Sequence, residues 1–242
     1  MTHCAESNDF ANIILDDMSN FEKLGVQGRQ YFVKYDMQKT IDRFGHLGLG
    51  HDDDYLYIAY VDEKCRVSRT TAEVDVLGAS GEWVPYTEPA PVLTIYDMLC
   101  RFQDFAPGAT HEGAMPGLQP SCLSGQYCTV TTLAPVGASP SPGVFSQEYA
   151  DEFCGNVEKL AQACENLGGK LQPAIARADL TYMLPLFDWL DLMFQFWDGD
   201  DEFDAQIVFM WDSNVLGFMH YETLFYVMLD VMARLCREFR AL

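Results

Sequence analysis

The residues of this chain with the types and spacing to do chemistry fall in two groups, one acidic and one of histidine and cysteine. The sharper is Asp198-Gly199-Asp200-Asp201-Glu202-Phe203-Asp204, with five carboxylates in seven residues. Hard divalent cations take clustered oxygen ligands, and a turn can aim several of them inward. Asp198, Asp200, Asp201 and Glu202, with Asp212 and His220 beyond them, form the expected ligand set for a divalent metal. His220 could also serve as a general base if Asp212 or Glu222 oriented its ring. The spacing is not that of an EF-hand loop. A softer alternative is His111 with Cys122 and Cys128, since two thiolates and an imidazole leave a zinc ion one open position. Against both stands a plainer reading. Charge runs are usually solvated faces, and Asp or Asn near a turn commonly bonds its own backbone.

Other signatures are missing. There is no Gly-x-Ser-x-Gly elbow, no His-Glu-x-x-His, no Walker loop and no Cys-x-x-Cys pair. The glycine-rich loop between His46 and His51 lacks the GxGxxG spacing, so phosphate cradling has little support. Trp189, Trp197 and Trp211, together with Phe194 and Phe196, could wall a pocket for a flat ligand. Aromatics at strand spacing more often fill a core.

The elements that must position these groups follow from hydrophobic periodicity. Phe10, Ile13, Ile14, Met18, Phe21 and Leu24 recur at helical spacing and predict a first helix. Tyr31 to Tyr35 reads as a short strand, and Tyr55 to Val61 meets Cys65 to Arg69 in a hairpin. A second helix is expected from about Val92 to Phe102. A third runs from about Glu148 to Leu167 and is stopped by Gly168-Gly169. Residues 106–146 hold six Gly and six Pro, with one short Thr-rich strand over Gln126 to Leu133. Leu190, Leu192, Phe194 and Phe196 alternate with Asp191, Met193, Gln195 and Trp197, and Ile207, Phe209 and Trp211 show the same period of two beyond the acidic turn. That is a β-hairpin. Leu224, Phe225, Met228, Leu229, Met232, Leu235 and Phe239 then line one side of a long final helix. Helices and hairpins mix without a βαβα rhythm, so the expected class is α+β: antiparallel hairpins packed by about four helices. A single domain over residues 1–242 is expected, with sub-lobes 1–105 and 147–242 joined by the Gly/Pro-rich segment.

Composition narrows the partners. The chain has 242 residues, and 15 Lys+Arg against 36 Asp+Glu leave a net charge of −21. Nucleic acid is a poor partner for such a surface, and so is an anionic membrane. A basic protein is the partner it would attract. No stretch reads as a signal peptide or a membrane span, so a cytoplasmic protein is expected. The eight cysteines are irregularly spaced, which suits reduced thiols better than a disulfide framework.

The run Trp197-Asp198-Gly199-Asp200-Asp201-Glu202-Phe203, the strand Phe209 through Asp212 and the helix opening Tyr221-Glu222-Thr223-Leu224 together resemble a family of uncharacterised proteins of anaerobic bacteria and archaea. The likeness is strongest over roughly the last 90 residues. Some relatives carry a four-cysteine iron–sulfur domain of a kind also found in corrinoid proteins, and no such cysteine quartet stands in this chain. The resemblance implies an accessory or binding role in anaerobic metabolism, with a corrinoid link by association only. The competing expectations are a metal-dependent, hydrolase-like enzyme using the acidic turn, and a structural subunit defined by its interface.

Overall fold

The computed structural model describes residues 28–104, 122–135 and 147–242. The helix expected at Phe10–Leu24 and the candidate ligand His111 lie outside them. The architecture is α+β, with two five-stranded antiparallel sheets and several helices.

The first sheet is a meander of β1 (Gly50–His51), β2 (Tyr55–Tyr60), β3 (Glu63–Ser68), β4 (Val74–Leu77) and β5 (Trp83–Pro85) in sequence order. Period-two alternation sorts its faces. Leu56, Val67 and Val74 lie across from one another on the buried face, whereas Tyr57, Arg66, Asp75 and Pro85 share the other. The β2–β3 turn is Val61-Asp62, tighter than the sequence suggests. Val61 adopts φ 54°, a left-handed value that a β-branched residue seldom accepts. Its side chain is buried, and its N–H donates to Leu186 O at 2.9 Å, so the turn of one sheet closes onto a strand of the other.

That strand belongs to the second sheet, ordered β6 (Tyr127–Thr129), β10 (Gln206–Asp212), β9 (Leu190–Trp197), β8 (Leu180–Phe187) and β7 (Lys170–Leu171). Leu180, Tyr182 and Leu184 pair with Phe196, Phe194 and Leu192, and all six are buried. The expected C-terminal hairpin is present, with the acidic run as its turn.

The α-helices that follow are α1 (Met37–Phe44), α2 (Pro89–Cys100), the short α3 (Val130–Leu133), α4 (Gln147–Phe153), α5 (Val157–Asn166) and α6 (Tyr221–Ala241). Helices α2 and α5 both pack against α6, which is buried on most of its circumference. Three sequence expectations need correction. Tyr31 to Tyr35 is not a strand: residues 28–32 are helical and the chain then turns. A short aromatic run fits either period, and here Gly28 seats against Leu93 and Tyr96 of α2. The helix expected over Glu148–Leu167 is two helices, broken at Gly155, whose φ of 73° ends α4. The Thr-rich strand stops at Thr129 and continues as α3. Gly168 and Gly169 do end α5, their N–H groups reaching Glu165 O and Cys164 O at 2.9 Å.

Candidate functional site

Helix α2 is apolar along nearly its whole length, yet it places Asp97 between Tyr96 and Met98 with 6% exposure. A carboxylate is costly to bury unless its lone pairs are filled. Asp97 meets that demand through the start of α6. Its Oδ2 accepts the His220 backbone N–H at 2.6 Å and the Thr223 hydroxyl at 2.6 Å, and its Oδ1 pairs with His220 Nδ1 at 2.6 Å. His220 is the N-cap residue of α6, with extended backbone, so its ring leaves the helix toward α2. The carboxylate fixes the tautomer: Nδ1 carries the proton that Asp97 receives. The His220 side chain stays 41% exposed, and Nε2 has no hydrogen-bond partner among the described residues.

Burial alone would lower the His220 pKa, but the charge of Asp97 and its hydrogen bond outweigh that and raise it. Burial would raise Asp97, and here the charge and hydrogen bonds of His220, with the Thr223 hydroxyl, hold it below the ordinary carboxylate range. Around this pair lies a second set of polar groups. Asp104 accepts Tyr31 Oη at 2.8 Å, Tyr35 Oη at 2.6 Å and Arg101 Nη1 at 3.0 Å. The Tyr31 ring stands edge-on to His220, 6.3 Å between centroids. Burial, reinforced by Asp104, pushes both phenols above their usual range. The Arg101 charge acts on His220 in the opposite sense to Asp104. What results is an imidazole with one nitrogen anchored, one open, and polar side chains beside it. Such a group can donate or accept a proton.

A second charged cluster lies further along α6. Arg234 is 3% exposed and donates from Nε to Asp230 at 2.9 Å, from Nη1 to Asp62 at 2.8 Å, and from Nη2 to Glu63 at 2.8 Å and Tyr86 Oη at 2.7 Å. Tyr60 donates to Asp230 at 2.9 Å, and Tyr86 to Glu63. The strained Val61 turn therefore also delivers two carboxylates to Arg234.

The residues singled out in the sequence are spread over several places. Asp212 is 2% exposed and accepts Ser124 N at 2.9 Å, Gly125 N at 2.7 Å, Asn214 N at 2.8 Å and the Ser124 hydroxyl at 3.1 Å, which pins residues 122–126 to the end of β10. Asp198 accepts the N–H groups of Gly155 at 2.7 Å and Gly199 at 3.0 Å. Asp200 accepts those of Glu202 and Phe203, both at 2.8 Å, as an Asx turn does. Asp201 and Glu202 are exposed. Among the described residues no group of three or more His, Cys, Asp or Glu is placed to hold a metal ion. Cys122 is exposed and Cys128 half-buried, with burial and Asp212 raising the Cys128 thiol. Trp189 stacks between Phe44 and Phe187 at 4.7 and 5.8 Å, Trp197 donates to Ala176 O at 3.2 Å, and Trp211 is buried in the core with Nε1 unbonded. Trp189 and Trp197 flank opposite ends of β9.

The sequence reading named His220 but gave it the wrong carboxylate. Asp97, 123 residues away, orients the ring, rather than Asp212 or Glu222. The available signal was an acid inside the apolar run Ile95-Tyr96-Asp97-Met98-Leu99.

A family model described as "Domain of unknown function (DUF3786)" matches residues 134–234. It overlaps most of the stretch on which the family resemblance rests, and it carries no activity. No curated protein and no solved structure matches the chain. The matched stretch holds His220, Asp230 and Arg234, while Asp97, Asp62 and Glu63 come from outside it. No helix among the described residues is long and apolar enough to cross a membrane.

Proposed function

We propose that this protein binds a small ligand beside His220 and exchanges a proton with it through Nε2. The observation that carries the reading is the 2.6 Å contact between the buried Asp97 carboxylate and Nδ1 of a ring that is itself 41% exposed. A pair built only to cap α6 needs the carboxylate and the backbone N–H; it does not need an imidazole with its second nitrogen outward. Asp97 acts as a positioning residue, Thr223 holds Asp97, and His220 touches the ligand.

Two other readings carry less. An accessory role beside corrinoid or iron–sulfur enzymes of anaerobic metabolism, with a basic protein partner, rests on the resemblance and the net charge. A metal-dependent hydrolase at the acidic turn would use Asp198 and Asp200, whose oxygens already serve backbone N–H groups. The test is a thermal-shift screen of purified protein against small carboxylates, phosphates, amines and sugars, run in parallel on His220→Gln. Hits that stabilise the wild type and vanish in His220→Gln support the proposal. A hit list unchanged by the substitution, or no hit in either protein, overturns it.

A further inference from the structure

The outer face of the first sheet is not built like an ordinary solvated one. Antiparallel sheets with one face in water line that face with polar side chains. Here the row across the five strands is Gly50, Tyr57, Arg66, Asp75 and Pro85, each opposite the next. Tyr55 and Trp83 lie two residues from Tyr57 and Pro85 along their strands, and therefore on the same face. Three aromatic rings converge there. Cζ of Arg66 lies 4.2 Å from the Tyr55 ring centroid and 4.9 Å from that of Trp83. The Tyr57 ring stands 6.3 Å from Tyr55 and 6.1 Å from Trp83. All three residues are half-buried, so each ring meets solvent as well as its neighbours. Arg66 is held without being used up. Its Nε donates to Asp75 Oδ2 at 2.8 Å, yet neither Nη group has a hydrogen-bond partner among the described residues, and neither does Asp75 Oδ1. The two side chains are 21% and 19% exposed. Two donors and an acceptor thus stand open beside three rings.

From this arrangement we infer a carbohydrate-binding surface, on which a neutral oligosaccharide lies along the outer face of the first sheet. Its C–H faces rest on Trp83 and the two tyrosines, and its hydroxyls meet the Arg66 Nη groups and Asp75 Oδ1. The ligand class follows from the chemistry. Aromatic faces are electronegative and suit the C–H-lined face of a sugar ring. Vicinal hydroxyls donate and accept at once, which matches open donors beside an open acceptor. Charged ligands fit less well, because Arg66 and Asp75 offset each other: an anion meets the carboxylate and a cation meets the guanidinium. Tyr57 donates to Asp52 at 2.7 Å, which sets a second carboxylate at the rim against anions. Nucleobases also stack on aromatic rings of a sheet, but a net charge of −21 repels their phosphates. This surface shares no residue with the His220 cluster.

The experiment is titration calorimetry of the full chain with maltohexaose, cellohexaose, xylohexaose and N-acetylchitohexaose, with polygalacturonate as the anionic control. Saturable binding of at least one neutral oligosaccharide is expected. Trp83→Ala should weaken it about tenfold or more, the cost of truncating an aromatic anchor. Trp83→Phe keeps a ring and should retain most of the affinity. Arg66→Met should also weaken binding about tenfold, the loss of hydrogen bonds from a charged donor. Urea midpoints of the variants check that each is folded, and Trp83→Phe and Arg66→Met decide the matter if Trp83→Ala is not. No saturable binding of any neutral oligosaccharide overturns the inference. So does binding that the folded ring and Arg66 variants leave unchanged, or binding of polygalacturonate alone.

Discussion

Helix α6 carries two carboxylate-bonded basic side chains, fourteen residues or about 21 Å apart along its axis, and they are built to opposite ends. At Arg234 every guanidinium nitrogen is bonded and the side chain is sealed from water. At His220 one ring nitrogen is bonded and the other side of the ring meets solvent. Both partners reach α6 from the part of the chain before residue 105, so both clusters join the same two regions. The difference lies in what remains after the contact is made. A saturated, buried cation has nothing to offer a ligand and serves to fix α6 to the first sheet. A half-committed imidazole keeps a proton to exchange. Burial and residual valence, more than the presence of charge, separate a structural contact from a candidate site.

The largest effect should come from Arg234. Replacing it with Met leaves Asp62, Glu63 and Asp230 facing one another without their common cation, and breaking a buried ion pair from one side costs about 3–5 kcal/mol. Urea unfolding measures it. A loss under about 1 kcal/mol, the range of surface ion pairs, would show that the cluster is not the fastening described here. In the folded fraction the His220 titration should not move, because the two clusters share no side chain.

Asp97→Asn should cost less, about 1–3 kcal/mol, since the amide oxygen can still accept one of the α6 donors while the charge is gone. Its diagnostic readout is the His220 titration. With the carboxylate removed, burial and the Arg101 charge disfavour imidazolium against Asp104 alone, and the His220 pKa should fall below its wild-type value. A His220 pKa indifferent to Asp97→Asn would reduce the pair to a helix cap.

The same contact sets a pH dependence. His220 has a raised folded pKa, so its contribution to stability is full below the unfolded value and is lost as pH rises through the folded value. Asp97 has a lowered folded pKa, so its contribution is present above the unfolded value and is lost as pH falls through the folded one. The pair therefore stabilises most between those two limits. Asp230 runs the other way, its carboxyl raised by burial despite Arg234, so acidification through its folded pKa adds stability. Unfolding free energies across pH should show the alkaline loss in the wild type and a flatter profile in His220→Gln.

How far the sequence foretold this contrast depends on separation along the chain. The C-terminal hairpin and α6 were legible because period-two and helical alternation run for many residues there. Strands β4 and β5, four and three residues long, give no such run and were missed. Gly155 was a visible break in an otherwise continuous helical pattern, and its left-handed φ makes it the end of α4. His220 could be named from its place before a helix. Its partner could not, because 123 residues intervene and only the packing of α2 on α6 brings Asp97 there. Arg234 hid for another reason: Asp230 and Arg234 at i,i+4 look like an ordinary surface pair until β2 and β3 cover them.

The smallest expected effect tests the acidic turn, the feature most conspicuous in the sequence. Its carboxylates are not equivalent. Asp200 closes the turn by receiving two N–H groups, whereas Asp201 and Glu202 stand at the exposed tip beside Phe203, itself 68% exposed. Asp200→Ala should cost about 1 kcal/mol, the worth of a lost side-chain cap on backbone N–H groups. Asp201→Asn with Glu202→Gln should stay within about 0.5 kcal/mol, as surface changes away from buried partners do. Thermal or urea unfolding distinguishes the two variants directly. If the tip pair proves as costly as Asp200, those carboxylates are bound to something the fold alone does not supply, and the acidic turn would replace His220 as the place to look for a ligand.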